Sequence, residues 1–167
     1  DKLSTDIALL IDGMDSLDSG VTVFDAALRL VTANRRFVEM LGFPAELMVP
    51  GTPLAALYRF NAERGEYGAG DVDALVAERL AIARRFEPHR FERLRPDGTI
   101  LEVRGSPLHS GGFITIYIDV TTERQRERAL ADLSAELERR VEERTAELRQ
   151  REAELARKTR QLELVIA

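Results

Sequence analysis

The chain has 167 residues, 44% of them hydrophobic and 32% charged, which suffices for one core of ordinary size and an extension. A formal net charge of -5, no basic surface pattern and no apolar run near ~20 residues argue against nucleic-acid binding and a membrane span. The sequence contains no cysteine, which excludes disulfides, thiolate metal sites and cysteine nucleophiles and fits a cytoplasmic location.

An amphipathic helix is predicted at the start, over residues 1–18. Its apolar side chains recur at spacings of four and three, so the helix presents one apolar face that can pair with a copy of itself. The residues of this face are Leu3, Ile7, Leu10, Met14 and Leu17. Gly20 is expected to mark the end of the segment.

Two short strands and three short helices are predicted next. Alternating apolar residues indicate a hairpin with strands at 21–24 and 28–32. The apolar spacing in 37–41, ahead of a glycine and a proline, indicates a helix of one or two turns. Residues 44–49 and 53–60 favour two further short helices, separated by a Pro-Gly-Thr-Pro turn.

A glycine-rich loop is predicted to lead into a longer helix. The segment FNAERGEYGAGD contains three glycines and several charges, so we expect a loop there. Asp71 is a suitable N-cap for a helix over 71–86, in which apolar residues keep a helical spacing.

Three strands are predicted after that helix. RPDGT has the composition of a tight turn between the alternating stretches FERLR and ILEVR. The last strand, 113–120, carries aromatic residues even on its more polar face. We therefore expect it in the middle of the sheet and covered on both sides.

A long charged helix is predicted for the rest of the chain. From Thr122 onward there is neither glycine nor proline, and Thr122 with Gln125 can form a capping box. The helix would be about 65 Å long, and its narrow apolar stripe favours a parallel two-stranded coiled coil with some basic core positions. The stripe comprises Leu130, Leu137, Val141, Leu148, Leu155, Leu162 and Val165, with Arg144, Arg151 and Lys158 between them. Both chain ends look cut, so we expect a longer parent protein.

The order of these elements and several motifs resemble a PAS (Per-Arnt-Sim) domain. The opening GVTVFDAALRLVTANRRFVEMLGFP is similar to PAS modules of bacterial sensor histidine kinases. RFNAERGEYGAGD resembles a PAS subclass that carries an RGEYG-type loop before its long helix. DVTTERQRERAL resembles the Asp-hydrophobic-Thr exit at which PAS domains join signalling helices, and LERRVEERTAEL is similar to the coiled-coil linker that often follows.

The resemblance implies an α+β fold with a five-stranded antiparallel sheet and helices on one face. The expected parts are an N-terminal amphipathic helix at 1–18, a PAS domain at 19–121 and a coiled-coil signalling helix at 122–167. The implied function is a sensory and relay module of a bacterial two-component system, a parallel homodimer that acts on a downstream kinase or second PAS domain. The alternative is a ligand-free PAS module that only dimerises and spaces its neighbours. An enzyme fragment is a third interpretation, which no catalytic motif supports.

The first expected site is a signal junction where the last strand meets the long helix. It comprises Asp119, Val120, Thr121 and Thr122. In this hypothesis Asp119 pairs with a basic side chain and a threonine caps the helix, which couples the two elements. The alternative is that these residues are only a strand end and a helix cap.

The second expected site is a ligand pocket or gating loop around the RGEYG segment. Its candidate residues are Asn61, Arg64, Glu66, Tyr67, Arg93 and Arg104. The alternative is that Arg64 and Glu66 form local ion pairs while Tyr67 plugs the core.

The cofactor is left unknown, and no metal site is expected. Without cysteine, a covalent flavin or chromophore adduct is excluded, and the helix over 71–86 has no histidine to ligate haem. Reversible binding of a flavin or a small anion stays open. His89 and His109 lie outside the predicted dimerisation helices, so neither is expected to accept a phosphate. The expected dimer interface combines the N-terminal helix face with Leu137, Val141, Leu148, Leu155 and Leu162.

Overall fold

A computed structural model describes residues 2–166, and contacts divide the chain into two units after Thr121. The first unit contains a sheet and four α-helices, and the second is a single helix. The elements in chain order are α1 Lys2–Asp15, β1 Gly20–Asp25, β2 Leu30–Ala33, α2 Arg35–Leu41, a 3-10 turn Ala45–Leu47, α3 Leu54–Glu63, α4 Val72–Ala83, β3 His89–Leu94, β4 Ile100–Leu108, β5 Gly112–Asp119 and α5 Thr121–Ile166.

The five strands form one antiparallel sheet in the order β2-β1-β5-β4-β3. The prediction that the last strand lies in the middle is confirmed. Successive side chains of a strand point to opposite faces, so Thr115 and Tyr117 lie on the face opposite to that of Ile116. The face that carries Tyr117 packs against the helices, because Phe37 of α2 lies 5.0 Å from Tyr117 between ring centroids.

The hydrophobic core lies between that inner face and helices α2 and α3. Its buried members are Phe24, Leu30, Phe37, Leu41, Phe43, Leu57, Leu101 and Val103. Most of these residues come from strands or from one side of a helix, and Phe43 lies in the connection after α2. The α+β fold expected from the sequence is therefore confirmed.

Asn34 joins the N-terminal helix to the sheet and to α2. Its buried side-chain oxygen accepts hydrogen bonds from the backbone N–H groups of Val21 (2.8 Å) and Phe37 (3.0 Å). Its amide nitrogen donates to the carbonyls of Met14 (2.8 Å) and Ser19 (2.9 Å). One side chain thus caps α2 and fixes the segment between α1 and β1.

The predicted C-terminal ends of three helices are wrong. Leu17 lies beyond the end of α1 at Asp15, so it is not part of that helix. Helix α3 continues three residues further than predicted, to Glu63, and Gly65 with φ of 81° then permits the sharp turn that ends it. Helix α4 ends at Ala83 rather than Phe86, and the Phe86 ring instead packs edge-on against Phe113.

Helix α5 begins one residue earlier than expected. Because it starts at Thr121, Thr122 lies inside the helix and is not its cap. The helix spans 46 residues, or about 70 Å, and no residue in it is buried. Among residues 2–166, no helix is both long and apolar enough to cross a membrane.

Candidate functional site

The first unit contains a cavity of about 480 Å³ between the inner face of the sheet and the helices. Its apolar wall includes Phe37, Leu41 and Leu57 from the helices and Phe24 and Val103 from the strands. The volume lies within the range of small-molecule pockets. The large aromatic side chains line this space and leave it open.

The polar part of the cavity gathers around Tyr67, in the loop between α3 and α4. Asn61 Nδ2 donates to the Tyr67 hydroxyl at 3.1 Å. The guanidinium carbons of Arg79 and Arg93 lie 3.4 Å and 5.3 Å from the centroid of the Tyr67 ring. All four of these residues line the cavity, so cationic, amide and phenol groups meet at one place.

The three tyrosines of the chain, Tyr58, Tyr67 and Tyr117, all line the cavity. Burial raises the pKa of Tyr117 to about 12. Burial likewise raises the pKa of Tyr58 and of Tyr67. The phenols are therefore un-ionised at neutral pH and can donate hydrogen bonds. Since the chain has no tryptophan, tyrosine fluorescence reports on this cavity alone.

An ion cluster lies beside the cavity, centred on the buried carboxylate of Glu66. Arg95 donates from Nη2 to Glu66 Oε1 at 2.8 Å and from Nε to both carboxylate oxygens at 3.1 Å. Arg93 and Arg64 approach the same carboxylate at 3.5 Å and 3.6 Å. The hydrogen bond with Glu66 raises the pKa of Arg95, whereas burial lowers the pKa of Arg64.

Two of these arginines also bind the end of helix α2. Arg64 Nη1 donates to the carbonyl of Leu41 at 2.6 Å, and Arg95 Nη1 donates to the carbonyl of Met40 at 2.9 Å. The last carbonyls of a helix have no partner within the helix, so the arginines satisfy them. The RGEYG loop is in this way connected to α2 and to the end of β3.

The structure brings together most of the residues expected around the RGEYG loop. Asn61, Tyr67 and Arg93 line the cavity, while Arg64 and Glu66 lie in the ion cluster next to it. The nearest ionic partner of Glu66 is Arg95, which is 29 residues away in the sequence. The ion pairs are therefore not purely local.

Arg104 does not belong to this group, and this expectation is corrected. It lies three residues after the buried Leu101 on β4, so its side chain points to the other face of the sheet. There it forms an ion pair with Glu102, which also accepts a hydrogen bond from Arg90 at 2.8 Å.

Arg79, Arg95, Tyr58 and Tyr117 are functional candidates that sequence reasoning missed. Tyr117 could have been found, because strand alternation places it on the same face as Phe113. Arg79 occupies a position of the apolar pattern of α4, where an arginine is unusual. The role of Arg95, within a predicted turn, depends on contacts with distant residues and gave no local signal.

The cavity opens to the surface between α4 and β3. Ile82 and Phe91 both line it, yet they remain 51% and 49% exposed. His89 also lines the cavity and stacks on Phe113 at 5.3 Å between ring centroids. His109 lies in the turn between β4 and β5 and is exposed.

The exit from β5 into α5 is fixed by side-chain hydrogen bonds. The Asp119 carboxylate accepts from the backbone N–H of Thr121 at 3.0 Å and from its hydroxyl. The Thr121 hydroxyl oxygen accepts from the backbone N–H of Ile100 at 2.9 Å, and Val120 N donates to the Ile100 carbonyl at 2.9 Å. The hydrogen-bond partner of Asp119 is therefore Thr121. The pKa of Arg95, which the hydrogen bond with Glu66 raises most, is raised further by the charge of Asp119, and the expected pairing of Asp119 with a basic side chain stays a prediction.

The cavity and this exit are connected by one row of residues across the sheet. Arg93 on β3 pairs with Leu101 on β4, and Leu101 pairs with Asp119 on β5. Residues paired in this way point to the same face, and their Cα atoms are about 5 Å apart. Leu101 is fully buried, so a tightly packed side chain separates the cavity arginine from the exit carboxylate.

The residues expected at a dimer interface are exposed in the single chain. Those of α5 are Leu137, Val141, Leu148, Leu155 and Leu162, which are 52–64% exposed. On α1, Leu3, Ile7 and Leu10 are 48–69% exposed. Met14 is half-buried, and Leu17 is exposed in the connection to β1. Within residues 2–166, no group of histidine, aspartate or glutamate side chains is arranged to hold a metal ion.

Comparison with known proteins agrees with this architecture. The profile of the family described as PAS fold matches residues 14–128. No curated protein matches the chain.

Solved structures share the fold at low sequence identity. The PAS domain of BvgS from Bordetella pertussis is 19% identical, with 78% of this chain and 98% of that chain covered and a TM-score of 0.53. The phage VqmA-DPO complex is also 19% identical, with coverage of 78% and 60% and a TM-score of 0.50. The PAS domain of an HTR-like protein from Haloarcula marismortui is 20% identical, with coverage of 71% and 94% and a TM-score of 0.45.

Proposed function

The chain belongs to the PAS fold family, and on that premise we propose that it is a cytoplasmic sensory and relay module of a bacterial sensor histidine kinase or related regulator. In this proposal residues 1–18 and 122–167 flank a PAS domain at 19–121. The module passes a change in the cavity to a parallel homodimeric coiled coil, which acts on a downstream kinase or a second PAS domain. The chain itself carries no catalysis.

The observation that carries this proposal is the cross-strand row Arg93, Leu101, Asp119. Arg93 lines the cavity, and Asp119 accepts hydrogen bonds from the first residue of α5. Ile100, beside Leu101, binds the exit segment through both its N–H and its carbonyl. A displacement of β4 relative to β5 therefore changes the geometry at the start of the helix.

The open cavity supports sensing over the alternative of a ligand-free spacer. A spacer has no need of an internal space, and filling it with side chains would add stability. Here about 480 Å³ stays open, and a polar group of Asn61, Tyr67, Arg79 and Arg93 faces it.

The apolar stripe on α5 supports the dimeric coiled coil. A helix of about 70 Å that buries none of its own residues gains stability when its stripe meets a second copy. The stripe follows a seven-residue repeat through Val141, Leu148, Leu155 and Leu162.

Introduced cysteines test the proposal, since the chain has none of its own. In a parallel dimer Leu148 lies opposite its own copy at a distance that suits a disulfide, whereas Arg149 points outward. We expect rapid oxidative cross-linking of Leu148→Cys and slow cross-linking of the control Arg149→Cys.

The relay is tested in the same background. Asp119→Ala should change the cross-linking rate of Leu148→Cys and should change kinase output in the parent protein. The first unit should stay folded in this variant. Equal rates for the two cysteine variants would contradict the coiled coil. An unchanged rate and unchanged output in a folded Asp119→Ala protein would contradict the relay.

A further inference from the structure

The cavity contains a buried cationic donor without a hydrogen-bond acceptor. Arg93 Nη1 is shielded from solvent and makes no hydrogen bond. It lies 3.5 Å from Glu66 Oε2, but Arg95 already donates three hydrogen bonds to that carboxylate. A buried guanidinium N–H without an acceptor is costly, so this atom is suited to receive one from a ligand.

The charge around this donor is unbalanced. Arg64, Arg93 and Arg95 share the single buried carboxylate of Glu66, and Arg79 adds a further cation over the Tyr67 ring. Three other carboxylates lie nearby, all on exposed residues: Asp97, 3.6 Å from Arg95, Asp119, whose charge acts on Arg95, and Glu78 on the cavity lining. The buried groups that face the cavity therefore favour an anion over a neutral or cationic guest.

The neutral phenol hydroxyls of Tyr67 and Tyr58 lie in the same part of the cavity as Arg93. The Tyr67 oxygen accepts from Asn61, which leaves the Tyr67 proton free to be donated. Tyr58 lies close by, with its ring centroid 6.3 Å from that of Tyr67. Because burial raises the pKa of both phenols, they stay protonated when an anion approaches.

The apolar part of the cavity determines the size and shape of the ligand that fits. Aromatic and aliphatic side chains form its wall, including Phe24, Phe37, Leu41, Leu57 and Phe113. A dry apolar cavity of roughly 150 Å³ suffices for benzene. The space of about 480 Å³ found here is larger than a single ring needs.

We propose that the cavity binds an aromatic carboxylate with about two fused rings, its carboxylate against Arg93 and the Tyr67 hydroxyl and its rings against the apolar wall. This inference rests on the proposed sensory role of the cavity and names the chemical class of the signal. The ligand enters between α4 and β3, where Ile82 and Phe91 are exposed at the opening.

Isothermal titration calorimetry with 2-naphthoate as the probe tests the chemistry. The amide 2-naphthamide has the same shape without the charge, and acetate has the charge without the rings. We expect one 2-naphthoate per chain, at least tenfold weaker binding of 2-naphthamide, and no measurable binding of acetate. A charge-assisted hydrogen bond contributes roughly tenfold or more in affinity.

Variants locate the site. Arg93→Gln should weaken 2-naphthoate binding tenfold or more, and Arg84→Gln, which changes an exposed arginine just after α4, should leave it unchanged. Tyr67→Phe, which removes only a hydroxyl, should weaken binding severalfold and serves if Arg93→Gln does not fold. Equal affinity for naphthoate and naphthamide, no binding of naphthoate, or equal binding by all variants would overturn the proposal.

The two proposals fail in different ways. If 2-naphthoate does not bind but Asp119→Ala still alters cross-linking at Leu148→Cys, the ligand class is wrong and the relay stands. If 2-naphthoate binds with the expected selectivity but neither the ligand nor Asp119→Ala alters cross-linking, the ligand class stands and the relay is wrong.

Discussion

Removing the charge of Glu66 is expected to destabilise the first unit, which contains the cavity, strongly. The change Glu66→Gln keeps the shape of the side chain and one carbonyl acceptor. It replaces the other carboxylate oxygen by an amide donor that faces the guanidinium groups of Arg93 and Arg95. The cluster then holds three cations and no buried counter-charge, since the Asp97 carboxylate 3.6 Å from Arg95 is exposed.

The size of the loss in unfolding free energy follows from the burial of the ion pairs of Glu66. Breaking a buried ion pair by removing one partner costs about 3–5 kcal/mol. The side chains of Arg64, Arg93 and Arg95 are 24%, 14% and 10% exposed, so water can reach part of each guanidinium. We therefore expect the lower end, about 3 kcal/mol, which corresponds to a fall in Tm of roughly 10 °C for a unit of this size.

Urea denaturation followed by tyrosine fluorescence measures this change, since the three tyrosines line the cavity. The control is Glu39→Gln on the exposed side of α2, which should alter the free energy of unfolding by less than about 0.5 kcal/mol. A double-mutant cycle with Arg95→Met should give a coupling energy above about 1 kcal/mol. A loss below about 1 kcal/mol for Glu66→Gln, or no coupling, would refute the assignment of Glu66 as the electrostatic centre of the loop.

Four further changes test other parts of the molecule. Leu148→Arg should lower dimer affinity in sedimentation equilibrium and Arg151→Leu should raise it, because in the proposed coiled coil the first change puts a charge into the core and the second removes one. A lack of effect of both changes would contradict pairing through the stripe on α5. Asn34→Ala should cost about 2–4 kcal/mol of unfolding free energy in urea, since it leaves two buried N–H groups without acceptors. The hydrogen bond from Arg90 lowers the pKa of Glu102, so this carboxylate stabilises the fold above the ordinary glutamate pKa of ~4.3 and the contribution is lost as pH falls through the lowered value. Glu102→Gln should accordingly show a smaller fall in Tm than the parent over that acidic range, and parallel curves would contradict this.

Features set by neighbouring residues were predictable from the sequence. Asp71 caps α4 by accepting from Ala74 N at 2.9 Å, and Asp97 accepts from Thr99 N at 2.9 Å within the tight turn. In both cases the bond joins residues two or three apart, so the local sequence contains all the information. The middle position of the last strand was predictable for another reason, namely its apolar content on both faces.

Features set by distant residues were not predictable. The segment at the end of α3 reads as a loop because of its glycines, yet Arg64 bonds to the carbonyl of Leu41, 23 residues earlier, and stabilises a helix up to Glu63.

The face of the sheet on which Arg104 lies, by contrast, could have been predicted from the sequence. Leu101 and Val103 are apolar, so alternation already directs Arg104 to the opposite face.

The glutamate and the tyrosine of the RGEYG loop have different roles in the structure. Glu66 binds Arg95 and thereby holds the loop to the end of β3, while Tyr67, the next residue, extends into the cavity. Arg93 is shared by the two sites, because it approaches the Glu66 carboxylate and the Tyr67 ring. An anion that binds Arg93 therefore competes with Glu66 for the same guanidinium. Arg93 pairs with Leu101, and Leu101 pairs with Asp119. In the proposed relay, this competition would therefore act on the strand row that leads to α5.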